Sequence, residues 1–520
     1  MKKAWVIFIV AFGLYFVSVF GGFVQDDTKV IVGDPDMGKI TALASAFVRP
    51  YYYMDGGNAG IYRPLTSFSF YLNALITGNG AWGFHLINVM LYAGVCWLIF
   101  EVLKKISSEK MAFWGTIIFA VLPIHTEVIN NVVGRAEMLS LGFVLIAILL
   151  LFKKRWEGSA GVYLLALLSK ETAIVGLPIF IYLLVIGKEK KDAKIGVSSL
   201  YVLVTICFLV LRMVVLGGEN MGNNATMVEN PLKFLSTSQR VMNAFSLVPF
   251  GVGKILFPLN LSYDYSFNQL KLIANWFDWR VILGILLMIS SLIIVCRRLL
   301  RRNTPRNDGL ILGQAFFWGP ILITGNFLFP VGTIFGERLW FWSSLGLIMM
   351  LSTLFNPAVL TNLKNQTLFR PARKPSIFCS RKFLDLPRNQ AFRLCAIFFK
   401  SAKYFGFVLI IILSGRTLVR NIDWLSQERL FIHDAIYAKD SVMAQSNAAA
   451  MYLLKKDFVK GKEYLEKADR IYPNYPELMN NWGMYYLWKG DPKMAKERFE
   501  FCLKEKPEYF LCKENIKLIK

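Results

Sequence analysis

The sequence has little charge and carries no recognisable nucleotide or metal signature. Charged residues make up 18% of the chain, against about 25% in a typical soluble protein. The seven cysteines include no Cys-x-x-Cys pair, which excludes the common zinc and redox motifs. A Gly-x-x-x-x-Gly-Lys-Ser/Thr loop and a nucleotide-sugar fingerprint are also absent. The sequence therefore does not support ATP-driven transport or a nucleotide-sugar donor.

The charge that is present is mostly basic and is unevenly distributed. The net charge is +24, and the first 420 residues hold 42 basic but only 20 acidic groups. Many of these basic groups stand between hydrophobic blocks, as in the cytoplasmic loops of membrane proteins. We therefore predict contact with a lipid bilayer and no nucleic-acid partner.

Hydrophobic residues make up 55% of the chain and come in blocks long enough to cross a membrane. They predict an all-α, polytopic membrane protein with about eleven transmembrane helices in residues 1–420. We expect spans at about 4–21, 84–103, 110–124 and 137–152, a tight pair around 169–171, and further spans at about 195–216, 278–296, 310–328, 338–354 and 404–419. The apolar stretch 240–258 is interrupted by Pro249, Gly251 and Gly253, which predicts an interfacial or re-entrant element.

The basic loops also predict an orientation. Met1, Lys2 and Lys3 precede the first hydrophobic block, and we interpret that block as an uncleaved helix with a cytoplasmic N-terminus. The first outer loop then covers 22–83, and a basic cytoplasmic loop covers 356–403. Eleven spans place the C-terminal residues outside. The predicted location is the cytoplasmic membrane of the cell, crossed many times by the chain.

The last hundred residues repeat with a period of 34. Five identical pairs share this spacing: Asn447 and Asn481, Tyr452 and Tyr486, Leu453 and Leu487, Pro473 and Pro507, and Tyr475 and Tyr509. This is the tetratricopeptide period, so 421–520 is predicted to be an extracytoplasmic repeat domain of paired helices. Cys502 and Cys512 fall inside it, where a disulfide and two buried thiols are both compatible with the sequence.

Ionisable groups on the predicted outer side are candidates for function, because charge at a membrane edge is costly. Asp26 and Asp27 follow the first span. Adjacent carboxylates can raise each other's pKa and leave one as a general base. They can also bind a divalent cation such as Mg²⁺ or Mn²⁺, or simply end a helix in a solvated loop. The sequence leaves metal dependence open.

Further candidates lie on the same predicted side. We predict an acceptor or secondary acidic site formed by His125, Glu127, Glu137 and Glu171, in which His125 and Glu127 position an acceptor hydroxyl. The alternative is an interhelical ion-pair network. Arg135 is a candidate for a phosphate.

Lys170, between two apolar stretches, can neutralise a phosphate or pair with Glu171. Arg338 can hold phosphate oxygens with its planar fork or extend to the membrane surface. Arg63 is a weaker candidate. Carboxylates and cations in one outer site suit transfer from an anionic lipid-phosphate carrier to a hydroxyl.

Several short motifs resemble one known family in their order along the chain. They lie at 23–27 (Phe-Val-Gln-Asp-Asp), 62–66 (Tyr-Arg-Pro-Leu-Thr), 83–88, 123–127, 134–137, 168–171, 257–264, 336–339 and 420–424, and the 34-residue repeats follow. With them the chain resembles the transmembrane and tetratricopeptide-repeat protein O-mannosyltransferases, of the GT-C class of membrane glycosyltransferases. Two repeats are few for that family, and the basic loop at 364–403 is an addition to its pattern.

The resemblance implies an inverting enzyme that moves mannose from a polyprenyl-phosphate donor to Ser or Thr of a translocated protein. It implies that Asp26 and Asp27 form the catalytic motif, without a choice between them, and that Arg338 and Lys170 bind the donor phosphate. The repeats are then expected to hold the acceptor polypeptide. A lipid or polysaccharide acceptor, or a membrane-anchored scaffold without catalysis, are the alternatives.

Overall fold

The computed structural model of the protein describes residues 1–51, 60–187, 189–218, 225–300, 308–354 and 388–519. Within these ranges the chain is helical and contains no strand, so the predicted all-α class is confirmed. Most of the predicted basic loop, 356–403, falls outside the described residues, as does Lys188.

The membrane part contains fifteen described α-helices. They are α1 Lys2–Tyr15, α2 Ala42–Ser45, α3 Pro64–Thr77, α4 Ala81–Ile106, α5 Glu109–Ala120, α6 Thr126–Asn130, α7 Arg135–Phe152, α8 Trp156–Ser169, α9 Gly176–Ile186, α10 Lys191–Leu216, α11 Thr237–Leu256, α12 Trp279–Leu300, α13 Asp308–Thr324, α14 Phe341–Leu354 and α15 Arg388–Asp423. Short 3₁₀ turns join several of them, including Pro123–His125, Val132–Gly134, Glu171–Val175 and Glu337–Trp340. Three of the predicted site residues, His125, Glu171 and Arg338, lie in these turns.

Five of the described helices are long and apolar enough to cross a bilayer: Lys2–Phe20, Ala81–Ile106, Val132–Phe152, Lys191–Leu216 and Trp279–Arg297. A sixth candidate joins Glu109–Ala120 to Pro123–Asn130 through a bend of 55°. Pro123 stands at that bend, where a proline ring cannot continue a helical hydrogen-bond ladder. These helices make the chain a membrane protein. The count of eleven spans and the orientation stay predictions.

Two of the predicted loops contain helical residues in the structure. The last helix of the membrane part begins at Arg388, so residues 388–403 of the predicted loop are helical, while the cytoplasmic position of 356–403 stays a prediction. The segment Arg-Asn-Gln-Ala-Phe-Arg-Leu is rich in helix formers, which extends α15 beyond its apolar stretch. The first outer loop, 22–83, contains α3, whose first residue is Pro64, a favoured position for proline.

Helix α11 covers the predicted interfacial stretch and keeps Pro249 inside it. Its N-terminus is closed by a capping box between Ser236 and Gln239. The helix packs along α12 and is absent from the described helices that are long and apolar enough to span. The prediction that it lies at the interface or re-enters remains open.

The repeat domain consists of α16 Gln427–Tyr437, α17 Val442–Leu454, α18 Phe458–Ile471, α19 Pro476–Trp488, α20 Pro492–Glu505 and α21 Phe510–Ile516. Helices α17 and α19 start 34 residues apart, as the sequence period requires. Gly461 and Gly483 lie where an added side chain would meet Leu453 and Phe499, so each helix pair packs closely. A disulfide joins Cys502 to Cys512, which decides between the two options left open by the sequence.

Candidate functional site

The two adjacent aspartates occupy different environments. The Asp27 side chain has no exposed surface. Its carboxylate accepts hydrogen bonds from the backbone N–H groups of Val132 at 3.0 Å, Val133 at 2.9 Å and Val24 at 3.3 Å. Burial raises the pKa of Asp27 to about 7, although these three N–H groups act in the opposite direction. Asp27 thus fastens the first loop to the turn at Val132–Gly134.

Asp26 is partly exposed instead, with 32% of its side chain accessible to solvent. Its Oδ2 lies 3.8 Å from a terminal nitrogen of Arg338. Arg338 in turn donates from its other terminal nitrogen to Glu127 Oε1 at 2.7 Å and from its backbone N–H to Glu127 Oε2 at 2.9 Å. Because Glu127 is buried, it holds the guanidinium in place beside Asp26. The structure therefore brings together three of the predicted site residues from distant parts of the sequence.

His125 is fully buried next to this cluster. Its Nδ1 lies 2.9 Å from the Tyr92 hydroxyl and its Nε2 lies 2.8 Å from Ser344 Oγ. Both ring nitrogens are therefore occupied within the protein, and the ring packs at 4.4 Å from Phe119. This placement supports a structural part for His125 behind Glu127. Its predicted contact with an acceptor hydroxyl is not tested.

Arg135 is also fully buried. Its guanidinium donates to Asn88 Oδ1 at 2.8 Å, to Asn73 Oδ1 at 2.7 Å, and to the backbone oxygens of Phe84 and Ser69. These acceptors occupy the three nitrogens of its fork, so the side chain joins α3, α4 and α7 in this structure. Its predicted role at a phosphate stays untested, and the geometry favours a structural one.

Two further ion pairs in the membrane part contain residues that the sequence analysis proposed for the site. Lys170 forms a buried ion pair with Glu137. Arg63 binds Glu171 through two hydrogen bonds of 3.0 and 2.6 Å. Such planar, two-point contacts fix geometry as well as charge. Lys170 therefore pairs with Glu137 across two helices rather than with its neighbour Glu171. Its predicted contact with the donor phosphate stays a prediction.

A small apolar pocket lies beside the segment before α14, although Arg338 in that segment is not among its lining residues. It is lined by residues of α11, α13 and the segment before α14, among them Ala244, Leu247, Val248, Ile321, Leu339 and Trp340.

Sequence reasoning missed a buried polar cluster immediately behind Arg338. Glu337 has 1% exposure and accepts from the Tyr265 hydroxyl at 2.6 Å and from the Ser262 N–H at 2.7 Å. Burial raises the pKa of Glu337 to about 8, with the charge of Arg420 opposing this. The two terminal nitrogens of Arg420 donate to the two carboxylate oxygens of Asp434 at 2.6 and 2.7 Å, which forms a buried ion pair. The motifs at 257–264, 336–339 and 420–424 contain all of these residues except Tyr265 and Asp434, but spacing alone does not show that they meet.

No group of three or more His, Cys, Asp or Glu side chains in the described part of the chain is arranged to hold a metal ion. Asp26 and Glu127 both pair with Arg338, so the guanidinium of Arg338 supplies a positive charge between these two carboxylates.

Comparison with known proteins adds to this geometry. Residues 223–292 match the family model of the protein O-mannosyl-transferase TMTC, DUF1736. The chain is 26% identical over 475 residues to a protein O-mannosyl-transferase of Caenorhabditis elegans, covering 89% of this chain and 61% of that protein. It is 24% identical over 542 residues to human protein O-mannosyl-transferase TMTC3, covering 96% of this chain and 54% of that one.

The family resemblance is confirmed. A protein O-mannosyl-transferase of Drosophila melanogaster, Tmtc1, is 30% identical over 304 residues, which cover 52% of this chain and 35% of the fly protein. The chain thus spans about half to three fifths of the length of the first two TMTC relatives. No solved structure matches the chain.

Proposed function

We propose that the protein is a membrane glycosyltransferase that transfers mannose from a polyprenyl-phosphate donor to Ser or Thr hydroxyls of translocated polypeptides. The single observation that carries this proposal is the exposed carboxylate of Asp26, 3.8 Å from the guanidinium that Glu127 fixes. A general base and a phosphate-binding cation are the two groups that such a transfer needs. The names of the worm and human relatives, both protein O-mannosyl-transferases, support it.

In the proposed reaction the acceptor oxygen attacks the anomeric carbon of the mannose. The bond from that carbon to the phosphate oxygen breaks, and its electron pair leaves with the polyprenyl phosphate. Asp26 takes the hydroxyl proton, while Arg338 stabilises the charge that develops on the leaving phosphate. Attack opposite the leaving group inverts the anomeric configuration.

Of the two aspartates, Asp26 is the better base on geometric grounds. A base must reach the proton that it abstracts, and the Asp27 carboxylate has no exposed surface. Asp27 acts through Asp26, since its hydrogen bonds to Val132 and Val133 set the position of the loop. Lys170 and Arg135 support the site from the protein interior in this proposal.

The test is a transfer assay in lipid nanodiscs with radiolabelled polyprenyl-phosphate mannose and a mixture of secreted polypeptides. We expect label to move to protein with the wild type and to fall to background with Asp26→Asn. Asp36→Asn is the matched control, because Asp36 lies in the same loop but pairs with Lys39 and Arg49. Full transfer by the Asp26 variant would overturn the assignment of the base. Transfer from a different polyprenyl-phosphate sugar would overturn the choice of mannose.

A further inference from the structure

The segment between α10 and α12 contacts both the membrane helices and the repeat domain. We call residues 225–278 the docking segment. It makes up most of the region, residues 223–292, that matches the family model. It contains α11 and two irregular stretches, one on each side of that helix. Both stretches leave the membrane part and reach the first repeat.

On the repeat side, the docking segment is joined by hydrogen bonds of three kinds. The Tyr263 N–H donates to Asp434 Oδ2 at 2.7 Å. Ser441 Oγ, which caps α17, donates to the buried carboxylate of Asp264. The backbones of Phe267–Asn268 and 440–442 are paired, with Asn268 N–H donating to Asp440 O at 2.7 Å and Val442 N–H to Phe267 O at 2.8 Å.

Apolar contacts reinforce the same junction. Val228 is part of the buried core of the repeat domain. Phe267 packs edge-on against Tyr472 with ring centres 5.6 Å apart, and Tyr263 packs at 4.8 Å from Phe431. The core of the first repeat is therefore completed by residues that precede it by two hundred positions in the chain.

On the membrane side, the same segment leads directly to the candidate site. Ser262 and Tyr265 both donate to Glu337, the residue before Arg338. Val24, two residues before Asp26, packs in one buried cluster with Tyr263 and Trp424. The docking segment thus contacts both the loop that contains Asp26 and the turn that contains Arg338.

The asparagines of the repeats show how the array begins. Asn515 donates to Asn480 at 2.8 Å, and Asn481 donates to Ser446 at 2.9 Å. Each bond runs to the preceding repeat, and donors and acceptors both recur at 34 residues. Asn447, the equivalent donor in the first full repeat, follows the single helix α16 and donates to the Tyr263 hydroxyl at 3.0 Å. The docking segment therefore supplies the acceptor that a preceding full repeat would supply, at the end of the array where a cap is needed.

We infer that residues 225–278 are a docking element, which holds the repeat array in one orientation relative to Asp26 and Arg338. A polypeptide held along the repeats then reaches the site from a defined direction. This inference rests on the proposed function for its consequence in catalysis. The docking itself is a structural statement and is tested separately.

The test uses two matched double variants of the full chain in nanodiscs. Tyr263→Phe/Ser441→Ala removes one tyrosine hydroxyl and one helix cap at the junction. Tyr464→Phe/Asp457→Ala removes one tyrosine hydroxyl and one helix cap within the array, since Asp457 caps α18. Each variant loses one tyrosine hydroxyl and one helix-cap side chain, so the loss of a cap in the repeat domain is common to both.

Hydrogen exchange followed by mass spectrometry tests the docking without reference to activity. We expect the junction variant to speed exchange at the amides of Asn268 and Val442 about tenfold or more, and the array variant to leave these two amides unchanged. Equal exchange at these amides in both variants, or protection that survives in the junction variant, would overturn the docking element.

Transfer kinetics test its consequence. With the junction variant, we expect the KM for polypeptide to rise about five-fold, as for the loss of one or two hydrogen bonds, with an unchanged KM for the donor. The array variant should change neither KM for donor nor the exchange at the junction. If the wild type transfers no sugar at all, the proposed function fails, while the exchange result still decides the docking.

Discussion

Asp26 and Asp27 are consecutive in the chain, yet the Asp27 side chain is buried and the Asp26 side chain is partly exposed. The Asp27 carboxylate accepts hydrogen bonds from three backbone N–H groups inside the protein. The Asp26 carboxylate instead lies 3.8 Å from the Arg338 guanidinium. The pair is therefore one anchor and one reactive carboxylate rather than two equivalent acids. Their substitution by asparagine is expected to have different effects.

We expect Asp26→Asn to leave thermal stability nearly unchanged and to lower transfer by a factor of about 10² to 10⁴, the range for loss of a general base. Asp27→Asn replaces an oxygen that accepts a backbone N–H by an NH₂ group. We expect it to lower the free energy of unfolding by about 1–3 kcal/mol, because a buried donor then faces another donor. Thermal unfolding in detergent measures this difference. An equally destabilised Asp26 variant would contradict the division of roles.

Arg338→Lys tests the guanidinium fork. Lysine keeps the charge but cannot bind Glu127 and a phosphate with two parallel hydrogen bonds. We expect the KM for the donor to rise and transfer to fall about tenfold to hundredfold, since charge-assisted hydrogen bonds contribute about 1.5–3 kcal/mol each. The control is Arg429→Lys, an exposed arginine in the repeat domain, which should retain full activity. Donor binding can be followed by competition with unlabelled polyprenyl phosphate.

Glu337 should make stability depend on pH. Its pKa is raised by burial from 4.5 to about 8, so the folded protein binds a proton that the unfolded chain releases at lower pH. The contribution is fully present below about pH 4.5 and is lost as the pH rises toward 8. Glu337→Gln cannot titrate, and its unfolding temperature should depend less steeply on pH over this range. Asp27 acts in the same direction, so the quantity to measure is the difference between wild type and variant. Identical pH profiles would contradict the prediction.

Chelation tests the divalent cation that the acidic pair left open. The described residues include no cluster of three metal-binding side chains, and Arg338 already supplies a positive charge between Asp26 and Glu127. We therefore expect transfer to continue in excess EDTA. Activity that disappears in EDTA and returns with Mn²⁺ or Mg²⁺ would show that a cation takes part.

The disulfide offers a test of orientation. Cys502 and Cys512 join α20 to the last short helix, and such bonds persist in oxidising compartments. We expect neither cysteine to react with a maleimide in unreduced membranes, even after denaturation, and both to react after reduction. Cys207 and Cys296, which are free, serve as internal positive controls after denaturation. Reactive Cys502 and Cys512 in unreduced membranes would argue against an extracytoplasmic repeat domain.

The sequence predicted elements that depend on local pattern. The period of 34 located the paired helices α17–α20, because each helix shows its buried face at fixed spacing. The order of motifs indicated the resemblance to the protein O-mannosyl-transferases, which the comparisons confirm. The positions of helices were less certain wherever Pro123 or a 3₁₀ turn broke an apolar block, since hydropathy does not register such breaks.

The sequence could not separate the roles of charged residues that meet across the fold. Arg135 and Arg338 both looked suitable for phosphate, but only their partners show that Arg135 is surrounded by Asn73, Asn88 and backbone oxygens. The burial of Asp27 depends on N–H groups more than a hundred residues away. Pairings of this kind are properties of packing rather than of local spacing.

The asparagine series also bears on how such a chain can change in length. Asn447 sets the starting register against Tyr263, and Asn481 and Asn515 transmit it outward one unit at a time. A unit inserted beyond α20 would therefore extend the reach of the array without shifting its origin, whereas a unit inserted before α17 would displace every later one. Gain and loss of repeats should be tolerated at the far end and penalised at the membrane end.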